Sequence, residues 1–163
     1  MGADIDIESV LASPELRSSG DQLWDPDTLP WVPQADGVSA RLLHISTENG
    51  SWANLLRVTK QGTVSLHRHL GPVEAWVVGG QWRYLEHDWV ARPGMYVFEP
   101  AGDVHTLVNA GTDEMITLFV IHGPIEYLSP DGDVIFTETA ETKLTRYVRY
   151  CEANNLPLAP LLA

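Results

Sequence analysis

The sequence predicts an all-β single domain, an antiparallel sandwich or barrel followed by one helix. Three observations predict it. Short strand-like runs alternate with turn residues, one late segment has helical spacing, and 163 residues suit one domain with its own core. Hydrophobic residues make up 44% of the chain and charged residues 20%, as is usual for globular domains.

The N-terminal part is expected to lie outside the barrel. Residues 1–22 are polar, acidic and interrupted by Pro14 and Gly20, which predicts a flexible N-terminal arm. Residues 24–33 contain three prolines, which cannot donate ladder hydrogen bonds, so extended coil or an edge strand is expected there. The barrel itself is predicted over residues 23–138.

The predicted strands are rich in β-branched and aromatic residues and are bounded by turn residues. The longest run contains Gly79 and Gly80, where we expect the strand to bend. The predicted strands cover residues 39–45, 52–58, 63–69, 74–86, 89–91, 95–99, 104–109, 114–122, 125–128 and 134–137.

The C-terminal part, residues 139–163, is predicted to be one amphipathic helix and a tail that pack on the barrel. Residues 139–154 contain no glycine or proline. The apolar residues of this helix fall at helical spacing: Leu144, Tyr147, Val148 and Cys151. Cys151 is the one cysteine of the chain, so an intrachain disulfide is excluded and a core position is expected for it.

Charge and hydropathy exclude several classes of function. The formal net charge is −12, from 10 Lys and Arg against 22 Asp and Glu, which disfavours binding to nucleic acid or to an anionic membrane surface. No segment is apolar over the length of a membrane span, and the N-terminus has no signal-peptide pattern. The expected location is therefore cytoplasmic.

Three histidines form a candidate metal site. Alternate side chains of a strand share a face, so His67 and His69 point the same way from the predicted strand 63–69. His105 lies in the strand-like run 104–109, behind a turn that contains Pro100. Three imidazoles leave open positions on an ion, which suits Fe(II), Mn, Co, Ni, Cu or Zn. The alternative is three ordinary histidines without a metal.

The segments around these histidines resemble the two signature motifs of the cupins, which are jelly-roll β-barrels. Residues 94–109 read G-x5-P-x-G-x2-H-x3-N, with every position of the second motif filled. The first motif has its H-x-H-x4-E core in His67, His69 and Glu74, but its leading glycine, Gly62, is one residue too close. The resemblance therefore implies a cupin jelly-roll barrel.

Residues 67–76, 80–86 and 96–107 resemble the 2,4′-dihydroxyacetophenone dioxygenase-like cupins, relatives of the acetylacetone-cleaving dioxygenases. This resemblance implies a homodimeric non-haem iron enzyme with three histidine ligands. Such an enzyme uses O2 to cleave a carbon–carbon bond next to a carbonyl in a hydroxyketone or diketone. Fe(II) is the expected cofactor on this ground, with Zn, Ni, Mn or Co as alternatives in purified protein.

Two glutamates and one tryptophan are further candidates. Glu74 is a candidate fourth ligand, as in many cupins, and Glu99 is expected to support a histidine or a substrate hydroxyl. Trp76 shares the strand face of Glu74 and is a candidate to line an aromatic pocket. Competing functions are an isomerase or lyase that uses the metal as a Lewis acid, and a non-enzymatic metal-binding sensor cupin.

Overall fold

A computed structural model describes residues 6–163 of the chain. The first five residues of the predicted N-terminal arm lie outside the described part. The remainder of the chain forms two helices, α1 and α2, two short 3-10 turns and the strands β1 to β11. The helices are Ile7–Leu11 and Ala140–Ala153, and the 3-10 turns are Pro14–Leu16 and Pro26–Thr28.

The strands are numbered in chain order. They are Val32–Ala35 (β1), Val38–Ser46 (β2), Ser51–Val58 (β3), Thr63–His69 (β4), Val73–Gly79 (β5), Trp82–Tyr84 (β6), Tyr96–Glu99 (β7), Val104–Asn109 (β8), Met115–His122 (β9), Ile125–Leu128 (β10) and Val134–Glu138 (β11).

Two antiparallel sheets form the jelly roll that the sequence predicts. One sheet has the order β1-β2-β3-β9-β5-β7 and the other has the order β11-β10-β4-β8-β6. Several neighbouring strands come from distant parts of the sequence, such as β3 with β9 and β4 with β10, as jelly-roll connections require. The buried side chains of both sheets form one core cluster, so the predicted all-β single domain is confirmed.

The predicted long strand 74–86 is wrong, because the chain leaves one sheet at Gly79 and enters the other at Trp82. Gly80 makes this crossing with a φ of +69°, a conformation that side-chain-bearing residues rarely adopt. A Cβ atom on Gly80 would lie 2.4 Å from the carbonyl oxygen of Glu114. The glycine therefore lets the backbone pass close to β9.

The predicted strand 89–91 is reduced to a single bridge between Ala91 and Trp82.

Helix α2 packs on the barrel as predicted. Its four apolar residues at helical spacing are all buried, and Thr139 begins the helix with a capping box. Part of the predicted arm also packs here, because Leu16 is fully buried and the Ser18 amide donates to the carbonyl oxygen of Leu162 in the tail at 2.9 Å.

Within residues 6–163, no helix is long and apolar enough to cross a membrane.

Candidate metal centre

The pairing of β4 with β8 brings the three histidines together inside the barrel. His67 lies opposite His105 in this pair, and His69 follows two residues along β4 on the same inner face. All three side chains are buried. One ring nitrogen of each lies within 4.8 Å of the others, a spacing that would let all three bind one ion.

The histidines are held neutral, which leaves their lone pairs free for a metal. Burial lowers the pKa of His67, and burial together with the neighbouring histidines lowers the pKa of His69 to about 2 and that of His105 to about 3. Nδ1 of His67 lies 2.8 Å from the carbonyl oxygen of Ser65. A neutral ring that donates there from Nδ1 keeps Nε2 as the free acceptor.

A tyrosine and a glutamate complete the cluster. The ring of Tyr84 stacks on His105 at 3.6 Å between centroids, and its hydroxyl donates to Oε1 of Glu99. The other carboxylate oxygen of Glu99 lies 3.4 Å from Nε2 of His69 and 3.5 Å from Nε2 of His105. Burial raises the pKa of Glu99 to about 7. Burial and the carboxylate raise the pKa of Tyr84.

The donor set fits a divalent transition metal. Several buried polar atoms have no hydrogen-bond partner among the described residues, including Nδ1 of His69, Nε2 of His105 and Oε2 of Glu99. Buried polar atoms are normally paired, and a group of unpaired ones marks a missing ligand or ion. Imidazole nitrogens with one adjacent carboxylate suit Fe, Zn, Ni, Mn or Co.

The family of the chain follows from its sequence. A family model described as the ChrR cupin-like domain matches residues 19–126, which is more than half of the chain. The chain belongs to this cupin family. No curated protein matches this cupin.

Solved structures show the same fold. An RmlC-like cupin protein from Ralstonia eutropha is 31% identical, with a TM-score of 0.81 over 87% of this cupin and 94% of that chain. A second cupin-like protein from the same organism is 20% identical, with a TM-score of 0.81 over 90% of this chain and 95% of that chain. An acetylacetone dioxygenase from Acinetobacter johnsonii is 20% identical, with a TM-score of 0.69 over 81% of this chain and 92% of that chain.

Glu74 lies away from the metal centre of this cupin. Val73, Ala75 and Val77 of β5 face the core, so Glu74 and Trp76 face outward by strand alternation. The Glu74 carboxylate is half exposed, accepts from the Tyr96 hydroxyl at 3.0 Å and lies 3.5 Å from Nε2 of His122. The expectation that Glu74 approaches the metal is therefore corrected.

Trp76 does not line the interior either. Its side chain is 51% exposed and lies on the outer face, next to Tyr96 and Leu118. Apolar residues alternate on both faces of β5, with Val73, Ala75 and Val77 inside and Trp76 and Val78 outside. Only the charge of Glu74 distinguishes the outer face from the wholly apolar inner face, and the motif position of Glu74 had favoured the opposite orientation.

Glu99, unlike Glu74, reaches the histidines, and it does so from the opposite sheet. It ends the edge strand β7, where it lies opposite Val73, and its side chain is 3% exposed. The strand of Glu99, β7, and the strand of His105, β8, belong to different sheets. The carboxylate thus crosses the barrel interior to meet two of the three candidate ligands.

A cavity leads away from the histidines into the barrel. The centre of a water molecule could move through a volume of about 60 Å³ inside this cavity. Apolar side chains form most of its wall: Leu56, Val64, Leu107, Phe119, Ile121 and Ile125. Sequence reasoning missed its polar residues Tyr84, Asn54 and Lys143. They carry no motif, and only the folded barrel brings them to one cavity.

Proposed function

We propose that this cupin is a mononuclear Fe(II)-dependent dioxygenase. Its substrate would be an enolisable hydroxyketone or diketone, cleaved at the carbon–carbon bond next to a carbonyl. Both atoms of O2 enter the products, which are two acids from a hydroxyketone, or an acid and a ketoaldehyde from a β-diketone.

One observation carries this proposal: three neutral, buried histidines converge on one point, and two of them, His67 and His69, line a largely apolar cavity. Three imidazoles leave the remaining coordination positions of an ion open for other ligands. A closed structural zinc site would instead show four protein ligands. The arrangement therefore suits an ion that binds a small molecule through oxygen atoms.

The protein's own residues would orient this site. A bound ferrous ion would supply positive charge that favours the enolate and electrons that O2 accepts. Tyr84 holds one oxygen of Glu99, which fixes the other oxygen against His69 and His105. For His69, whose Nδ1 is unpaired, a carboxylate at Nε2 would set the orientation of the ring and its basicity as a ligand. The apolar wall excludes water, which strengthens each of these electrostatic interactions.

The similarity to an acetylacetone dioxygenase supports the choice of substrate class and of O2. At 20% identity that similarity establishes the shared fold, so the reaction itself needs a direct test. Purified protein would be loaded anaerobically with Fe(II), mixed with O2 and offered a panel of hydroxyacetophenones and β-diketones. We expect at least one compound to be consumed with formation of a carboxylic acid. Iron-loaded protein that consumes none of them would contradict the proposal.

Two other functions for the same site give different outcomes. An isomerase or lyase that uses the metal as a Lewis acid would turn over substrate without O2 and would accept Zn(II). A sensor cupin would bind a metal and turn over nothing. The apolar cavity beside the histidines favours an enzyme over a sensor, because it offers space for a substrate.

A further inference from the structure

The cavity that His67 and His69 line also reaches a polar cluster, which we define as Gln34, Glu138, Lys143 and Arg146. Glu138 is 2% exposed and Lys143 is 8% exposed. Lys143 donates to Oε1 of Gln34 at 3.0 Å, and Arg146 donates to the same oxygen. Lysine and glutamate are seldom buried this deeply without a specific reason.

The cluster stands where the inner cavity meets a larger outer pocket. Gln34 and Glu138 line both spaces, whereas Lys143 lines only the inner cavity and Arg146 only the outer pocket. The corresponding volume of the outer pocket is about 270 Å³, compared with about 60 Å³ for the inner cavity. A ligand at the histidines whose far end points toward α2 therefore meets these side chains.

Cationic side chains outnumber carboxylates in this cluster. Glu138 is the one carboxylate that pairs with both cations among the described residues, at 2.8 Å from Arg146 and 3.7 Å from Lys143. Two cationic side chains thus share one carboxylate, and burial lowers the pKa of Lys143, so an anion bound there would favour its charged form. This excess is local, because the chain as a whole carries a net charge of −12.

Unused hydrogen-bonding capacity points to a ligand as well. An ammonium group has three N–H donors, and Lys143 has one acceptor within 3.5 Å, Gln34, among the described residues. Donors with unused capacity in a largely apolar cavity are typical of a site that binds an anionic oxygen.

We propose that the cluster is an anion subsite that binds a carboxylate of the substrate. This inference rests on the proposed function. The carbonyl end of the substrate would lie at the histidines, an apolar segment would pass the cavity wall, and the carboxylate would reach Lys143 and Arg146. Hydrogen bonds between ionised groups are stronger than neutral ones, so the subsite selects keto acids over neutral ketones of the same shape.

The test compares two diketones that differ by one acidic arm. Acetylacetone and 4,6-dioxoheptanoate share the β-diketone, and only the second carries a carboxylate. Their binding to Fe(II)-loaded protein is measured by calorimetry under argon, where no oxygenation occurs. We expect the carboxylate to tighten binding by about ten-fold or more, the effect of one charge-assisted hydrogen bond.

Variants assign this preference to the cluster. Lys143→Met should abolish the preference, so that the two diketones bind with affinities within about two-fold of each other. The matched control is Lys60→Met, which changes the other lysine of the chain. Lys60 is exposed, so this variant should preserve the preference. Arg146→Met provides an independent test if the Lys143 variant fails to fold, because the Arg146 side chain is one-third exposed. This variant should lower the preference.

The outcomes separate the inference from the function on which it rests. Equal affinity for both diketones in the unaltered protein would overturn the anion subsite and leave the dioxygenase proposal intact. A preference that survives in both the Lys143 and the Arg146 variants would also overturn it. Failure of the iron-loaded protein to bind either diketone would overturn the proposed function, and the subsite with it.

Discussion

His67, His69 and His105 are the residues on which metal binding should depend. Changing any one of them to alanine leaves two imidazoles, so we expect metal affinity to fall by more than about 100-fold, beyond the usual cost of losing an outer partner. The unaltered protein should hold close to one divalent metal per chain. Elemental analysis measures the metal, and His44→Ala is the control because His44 is exposed on β2. Full metal content in all three variants would contradict the site.

Glu99 and Tyr84 should act on turnover more than on metal content. Glu99→Gln keeps the shape of the side chain but removes its charge, and we expect turnover to slow by about 10- to 100-fold while the metal stays bound. Tyr84→Phe removes the hydroxyl that holds Glu99 and should slow turnover in the same direction. Steady-state rates and metal content are measured on the same preparations. Unchanged rates in both variants would remove the role given to this pair.

Single residues differ in how far the sequence reveals them. The histidines could be predicted because a spacing of two puts His67 and His69 on one face and a motif contains His105. Glu74 filled the motif position for a ligand but faces outward, whereas Glu99 reaches the histidines. The position of Asn54 and Lys143 in one cavity could not be predicted, because distant segments form that cavity.

Among the elements, the crossing between β5 and β6 depends on a glycine at positive φ. Gly80→Ala would add a Cβ at positive φ against the Glu114 carbonyl, so we expect it to destabilise the fold by at least about 2 kcal/mol. Gly79→Ala is the matched control, because an added Cβ there meets nothing within 4 Å. Its expected effect is within about 0.5 kcal/mol. Denaturant unfolding measures both, and equal stabilities would contradict this account.

Most strands could be predicted from turn residues and β-propensity. Strands β4, β8 and β10 begin and end at the predicted residues, and the tail helix is one residue shorter at each end than the predicted residues 139–154. The long run 74–86 failed because glycines fit both a bent strand and a crossing between sheets. Only the pairing of Trp82–Tyr84 with β8, not with β9, separates these two structures.

At the scale of the whole molecule, we propose a homodimer, as the family resemblance implies. The outer face of β5 and β7 exposes four large apolar side chains, each by more than half, and β7 is a sheet edge. They are Trp76, Val78, Tyr96 and Phe98. Exposed apolar patches and unpaired strand edges are normally covered in assemblies.

The dimer can be tested by changing this face. Light scattering at micromolar concentration should give a dimer mass for the unaltered protein and a monomer mass for the double variant Trp76→Ser, Phe98→Ser. Ile135→Ser, on the exposed strand β11 of the other sheet, is the control and should stay dimeric. A monomeric unaltered protein would contradict the proposal, and a dimeric double variant would exclude this face.

The central claim is that the three-histidine site performs oxygenation. It is tested most directly by O2 uptake with an enolisable diketone or hydroxyketone, for protein loaded with Fe(II) and for protein loaded with Zn(II). Zn(II) cannot pass electrons, whereas Fe(II) can. We predict one O2 consumed per substrate lost with Fe(II), and no loss with Zn(II) or under argon. Undiminished substrate loss under argon would contradict the dioxygenase and favour the Lewis-acid alternative.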